Sequence, residues 1–235
     1  MNKEEYISLP LLNRPGFFHF FGTKALTEER AKDAVRGKAV RLIQVHGDAV
    51  VKICPAETEE RPAEHVAQRG DALMTDCEGV LITMFTSDCL PVIIIDPNQM
   101  AVAIVHAGWR GSLLRIVAKT VAALIKEYGA DPSALLVGMG PRIGPCCFEV
   151  GREVWQEIEN EPTYSAGIIV RQQGEKAWIN LSRLNRIQLL GAGVRHDNIA
   201  DADICTHCHP HLFNSYRRDH IKGQNMVSGV LLRKP

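Results

Sequence analysis

Three short, nearly continuous apolar runs crowd one stretch of the chain: VLITMFT at 80–86, PVIII at 91–95 and AVAIV at 101–105. Runs of this length, rich in valine and isoleucine, suit strands of a sheet that is covered on both faces. The rest of the chain must therefore supply covering layers. The strongest helical pattern follows at 111–128. There Leu113, Leu114, Val117, Val121, Leu124 and Ile125 recur at spacings of three and four, and Gly129 closes the run. Further strands are expected at 41–45, 135–139, 199–204 and 226–232, and further helices at 151–159 and 180–190. Strands and helices mix without strict alternation, which predicts a mixed α/β or α+β layered domain rather than a pure doubly wound sheet. The charged stretch 54–70, with two prolines and weak periodicity, reads as an exposed loop or hairpin tip within one domain.

With 235 residues, 46% of them hydrophobic, the chain can build one substantial core or at most two small ones. Lys plus Arg and Asp plus Glu both total 27, so no basic surplus points to nucleic acid or to anionic lipid. Acidic residues and prolines interrupt the N-terminus before a signal peptide can form, and no window approaches the roughly 20 apolar residues of a membrane span. A cytoplasmic protein, monomeric or a small homo-oligomer, is expected. The seven cysteines are an odd number. In a reducing compartment such residues serve as core filler, metal ligands or nucleophiles rather than as staples.

Three places deliver polar side chains from apolar surroundings. The segment AVAIVHAGWRG runs off a buried strand into His106, then a glycine turn, then a helix, which is where sheet proteins place their sites. A lone histidine there is also read as a satisfied buried side chain. Ser87, Asp88 and Cys89 interrupt two apolar runs, and such an interruption is costly unless the polar groups find partners. Cys89 reads as a small buried hydrophobe or as a thiolate beside Asp88. Finally, QVHG brings His46 to the end of the expected strand 41–45. If the three strands are neighbours, His46, Cys89 and His106 converge. Two imidazoles, one thiolate and a water form a usual open zinc arrangement.

The words QVHG (44–47), DALMTD (71–76), SDCLPV (87–92), AVAIVHAGWRG (101–111), GPRIGPCCFEVG (140–151) and SYRRD (215–219) span most of the chain. With them the sequence resembles the laccase-domain family, whose members carry the names polyphenol oxidase and purine nucleoside phosphorylase. The resemblance implies a layered α/β/β/α sandwich with mixed sheets, and a single catalytic domain over 1–235. It implies metal ligation by His46, Cys89 and His106, which would also be the catalytic residues. It implies phosphorolysis of adenosine, inosine and methylthioadenosine, with deamination of adenosine. One departure stands out: region 22–40 lacks the Gly-rich loop and Asn-Leu-Gly segment usual in the family, so a reshaped substrate pocket is expected, bearing on purine specificity more than on metal binding.

Other groups are candidates for contacts to substrate. Asp88 adjoins the thiol. The GMGPRIG turn at 138–144 could aim N–H groups at an anion, and Arg110, Arg142 and Arg217 could grip phosphate. Each arginine equally fits a surface or ion-pair role. The tract Cys205-Thr-His-Cys-His-Pro-His211 is dense in ligands, but no second pair at a distance is evident, so it is not expected to hold metal. Cys146 and Cys147 are neighbours whose side chains diverge in extended backbone, and they read as structural.

Three functions fit these residues. In a zinc phosphorylase and deaminase, the ion would polarise a substrate oxygen or activate water. A multicopper oxidase needs many paired histidines, and nine histidines with one His-x-His tract are too few, although copper can enter the same His/Cys/His site. In a metal-free hydrolase, Cys89 would be the nucleophile and His106 its base.

Overall fold

The computed structural model describes residues 4–35, 38–53, 68–164 and 167–233. The loop expected at 54–70 lies almost wholly outside the described residues. Five strands form one sheet: β1 (Tyr6–Ile7), β2 (Phe17–Gly22), β3 (Lys38–Val40), β6 (Val80–Thr86) and β14 (Met226–Leu232), in the order β1-β2-β14-β6-β3. Six form a second: β4 (Val50–Lys52), β5 (Ala72–Thr75), β7 (Leu90–Asp96), β8 (Ala101–Ala107), β9 (Leu136–Met139) and β13 (Ile199–Asp201), in the order β13-β9-β7-β8-β5-β4. Both sheets are mixed, with β3 parallel to β6, β4 to β5 and β13 to β9. A small third sheet joins β10 (Glu149–Gly151), β11 (Ile169–Gln173) and β12 (Lys176–Ile179).

Alternation along the strands builds the layers. Ile93, Ile95, Val102 and Ile104 face inward and meet Phe21, Ile82, Met84 and Val230 from the five-stranded sheet. The intervening Val92, Ile94, Ala103 and Val105 face the other way. They are covered by three helices: α3 (Ile116–Tyr128) through Val117, Val121 and Leu124, α4 (Arg152–Glu159) through Val154 and Ile158, and α5 (Leu181–Gly191) through Leu184 and Leu189. On the far side, Phe20, Leu81 and Val227 pack against Ala31 of α1 (Glu28–Val35). The order is helix, sheet, sheet, helix, the sandwich implied by the resemblance. Continuous apolar runs were the right signal, because both faces of these strands are buried.

Two expectations need correction. Residues 41–45 do not form a strand: Ile43 and Val45 are exposed, and the N–H groups of Val45 and His46 donate to the carboxylate of Asp71 rather than to a neighbouring strand. The helix expected at 111–128 is two helices. The first, α2 (Trp109–Leu113), ends before Arg115, which sits at φ 62°, and α3 starts one residue later. Leu114 is left exposed at the break. Among the described residues, no helix is long and apolar enough to cross a membrane.

Candidate metal centre and its cleft

The polar interruption at 87–89 is the point where the chain leaves one sheet for the other, since β6 belongs to the five-stranded sheet and β7 to the six-stranded one. The crossing is tight, with Asp88 at φ 82°. A non-glycine residue held there costs about 1–3 kcal/mol and needs support from its surroundings. The support is the Asp88 carboxylate itself. It accepts from Thr206 Oγ1 at 2.6 Å, from Ser215 Oγ at 3.0 Å and from Arg217 N–H at 2.7 Å. Both oxygens of Asp88 are thus engaged in holding the turn, and the turn presents Cys89.

His106 lies on β8, one residue from its end, and β5 pairs with β8 so that Ala72 opposes Val105. That register puts the buried Asp71 beside His106, with Oδ1 at 2.8 Å from Nδ1. The same carboxylate accepts from the N–H groups of Val45, His46 and Gly47 at 3.2, 2.9 and 2.7 Å. One side chain therefore orients His106 and folds the His46 loop, in which His46 adopts φ 59°. The His46 and His106 rings stand nearly perpendicular with centroids 4.7 Å apart. One ligand atom each from His46, Cys89 and His106 lies within 4.8 Å of the others.

The donor set fits a metal ion. An ionised Asp71 can only accept, so Nδ1 of His106 carries the proton and Nε2 is left as the atom that could coordinate, as in a carboxylate–histidine–metal relay. Burial raises the Cys89 thiol, but the charge and hydrogen bond of His106, with help from His46, outweigh it and bring the thiol down to about 6. Burial opposes a charged His106, yet Cys89 and Asp71 prevail and raise it to about 9. Burial likewise works against the Asp71 charge, and its bonds from His106 and Gly47 hold it below the usual carboxylate range. The site is thus built for charge at neutral pH, and a cation would replace the proton between thiolate and imidazole. Glycines make room: a Cβ on Gly108 would stand 3.0 Å from Cys89 Sγ, and one on Gly111 would stand 2.8 Å from the carbonyl oxygen of Gly47.

The three donors open into a cleft of about 550 Å³, a size suited to a small ligand. Phe85, Trp109, Phe148 and Tyr216 contribute aromatic faces to its walls. Arg110 lies at the rim with its guanidinium carbon 4.1 Å from the Trp109 ring centroid. Arg217 also lines the cleft, anchored by a 2.7 Å bond from Nη1 to the carbonyl of Glu149. Arg142 does not. It is buried, and its guanidinium is spent on Asp201 at 2.6 and 3.1 Å, so the ion-pair role holds and the phosphate role does not. Sequence reasoning missed Asp71 as an organiser and the aromatic side chains of the cleft, and it gave no role to Ser87, whose buried Oγ borders the cleft without a hydrogen-bond partner.

These features define a class: layered α/β/β/α proteins with a His/Cys/His donor set where the chain crosses between sheets. The chain belongs to the laccase-domain family, and the family model described as "Multi-copper polyphenol oxidoreductase laccase" matches residues 25–233. The chain is 36% identical to a purine nucleoside phosphorylase of Bacteroides thetaiotaomicron over 165 residues, 70% of this chain. It is 37% identical to "Adenosine deaminase RL5" from an unknown prokaryotic organism over 161 residues, 68% of this chain. The match spans 61% of the length of each of these relatives. The crystal structure of YlmD from Geobacillus stearothermophilus superposes with a TM-score of 0.88 at 26% identity, covering 100% of this chain and 98% of that one.

Proposed function

We propose that the chain, as one catalytic domain over residues 1–235, is a zinc-dependent purine nucleoside phosphorylase acting on adenosine, inosine and methylthioadenosine, and that it also deaminates adenosine. The observation that carries this reading is the His46, Cys89 and His106 donor set at a cleft that includes aromatic side chains and the guanidinium groups of Arg110 and Arg217. The names of the two sequence relatives point the same way.

Zinc held by these three residues would supply a Lewis acid that polarises a substrate oxygen or acidifies a water. The chain's own groups do the rest. Phe148 and Trp109 offer flat faces for a purine. Arg217, with one nitrogen anchored on Glu149, presents its remaining donors as a fork suited to phosphate, and Arg110 offers a second. In phosphorolysis a phosphate oxygen bonds to C1′ of the ribose as the C1′–N bond breaks. The bond pair leaves with the purine, which takes up a proton. The products are free base and ribose 1-phosphate.

The test is a pair of product measurements on one zinc-loaded sample, with and without phosphate, using adenosine, inosine and methylthioadenosine in turn. Base release that requires phosphate and yields ribose 1-phosphate is expected. Equal release in both conditions with free ribose as product would make the protein a hydrolase. Arg217→Lys is expected to raise the phosphate concentration needed and to spare deamination, which uses water.

The acidified Cys89 beside His106 favours a second reading, a thiol hydrolase. Under it, no ion occupies this centre and Cys89→Ser abolishes activity without changing metal content; under the first, metal content and activity fall together. Copper in the same donors is the third case, and metal analysis of the purified protein separates it.

A further inference from the structure

The strands β9 and β13 are parallel neighbours, so the loops that follow them leave from the same end of the six-stranded sheet. One loop carries Cys146 and Cys147, the other Cys205 and Cys208. The loops are stitched together by backbone: Arg142 N–H donates to the carbonyl of Ile204, and Thr206 N–H donates to the carbonyl of Arg142. The Arg142–Asp201 ion pair lies beneath them. The second ligand pair that the sequence did not reveal is therefore present, and it is Cys146 with Cys147. Their side chains do not diverge, because residues 145–147 form a turn rather than extended backbone, with the N–H groups of Cys147 and Phe148 both donating to the carbonyl of Gly144.

All four sulfurs lie within 4.8 Å of one another. Cys208 Sγ is 3.4 Å from Cys147 Sγ and 3.7 Å from Cys146 Sγ. A tetrahedral zinc with Zn–S bonds of about 2.3 Å sets its sulfurs about 3.8 Å apart, close to the two spacings from Cys208. Gly144 N–H points at Cys205 Sγ at 3.1 Å, the kind of outer bond that steadies a ligating thiolate. A side chain at Gly144 would intrude, since a Cβ there would lie 3.1 Å from Cys205 Cβ and 3.2 Å from Cys146 Sγ. Cys146 and Cys208 reach the surface, so an ion has access.

We propose that Cys146, Cys147, Cys205 and Cys208 form a second zinc site, a structural one distinct from the His46, Cys89 and His106 centre. Four protein thiolates fill the coordination shell and leave no position for substrate, which is the mark of a structural site. The sulfurs converge on a single point, so they suit one ion rather than a cluster of several irons. The ion clips together two loops that build the cleft: Phe148 directly follows one cysteine pair, and Thr206, between the other two cysteines, holds Asp88.

The test uses the full chain, expressed with zinc and purified under reducing conditions without chelator. Cys89→Ser removes the only sulfur donor of the first centre. This variant is expected to retain one zinc per chain, with X-ray absorption showing four sulfur neighbours. Zinc-free Cys89→Ser protein, a first shell of nitrogen and oxygen only, or iron in place of zinc would each overturn the proposal. Cys208→Ser in the otherwise natural chain is expected to lose one zinc per chain and to keep the nitrogen-coordinated one. If that variant does not fold, the spectrum of Cys89→Ser decides the matter alone. Chelator added to Cys89→Ser is further expected to lower its melting temperature, and added zinc to restore it.

Discussion

At the scale of single residues, Asp71 accepts from Nδ1 of His106 and from three consecutive N–H groups of the His46 loop, so one buried carboxylate orients two of the three donors. Asparagine keeps its shape but turns an NH2 group toward N–H donors. Asp71→Asn is therefore expected to weaken metal binding at this candidate centre about 10- to 100-fold, read by competition with a chromophoric chelator. Unchanged affinity would remove Asp71 from the support of the centre. The candidate donors were legible in the sequence, because His106 and Cys89 are polar residues set against apolar runs, and the structure brings their side chains together with His46. Asp71 was not: nothing local separates a carboxylate that gathers four donors from one that faces water. The same limit applied to Arg142, whose partner Asp201 is distant in sequence.

At the scale of elements, the start of α2 is pressed against the loop that carries His46, with Gly111 facing the carbonyl oxygen of Gly47. A methyl group there would need the backbone of that loop to move. Gly111→Ala is expected to weaken metal binding at the candidate centre by displacing His46 while leaving the rest of the sandwich folded. Circular dichroism and the same chelator competition check both halves, and natural affinity in the variant would show that the close approach does not position the ligand. The strands β6 and β14 could be read to the residue, and β7 and β8 within a residue or two, since burial on both faces demands unbroken apolar sequence. Residues 41–45 are equally strand-like in composition, but their pairing stops at a single bridge from Ile43 to Arg69, and the next donors, Val45 and His46, turn their N–H groups to the Asp71 carboxylate. The break at Arg115 was also hidden. The periodicity continues through it, and Arg115 is held by Glu161 and Thr163 from another part of the chain.

At the scale of the whole molecule, His19 in β2 fastens the N-terminal segment, which places Leu9 and Leu12 in the core between the sheets. Its Nε2 accepts from Leu9 N–H at 2.9 Å, and burial lowers it from the ordinary 6.5 to about 4. Between these values the unfolded chain binds a proton that the folded one refuses, so stability is lost as the pH falls from 6.5 toward 4. The shift corresponds to roughly 3 kcal/mol. His19→Gln can still accept the bond but cannot titrate, so its melting temperature is expected to fall less over this window than that of the natural chain. Parallel curves would show that His19 does not drive the loss. The sequence by itself determined that the continuous apolar runs are buried strands, that helices must cover them, and which polar residues interrupt them, because hydrophobic run length and polar interruption are local properties. Tertiary structure alone decided that the 87–89 interruption is a crossing between sheets, that Asp71 holds the centre, and that two cysteine pairs far apart in the chain share one point. Those outcomes depend on strand order and register, and local sequence carries little information about which strands become neighbours.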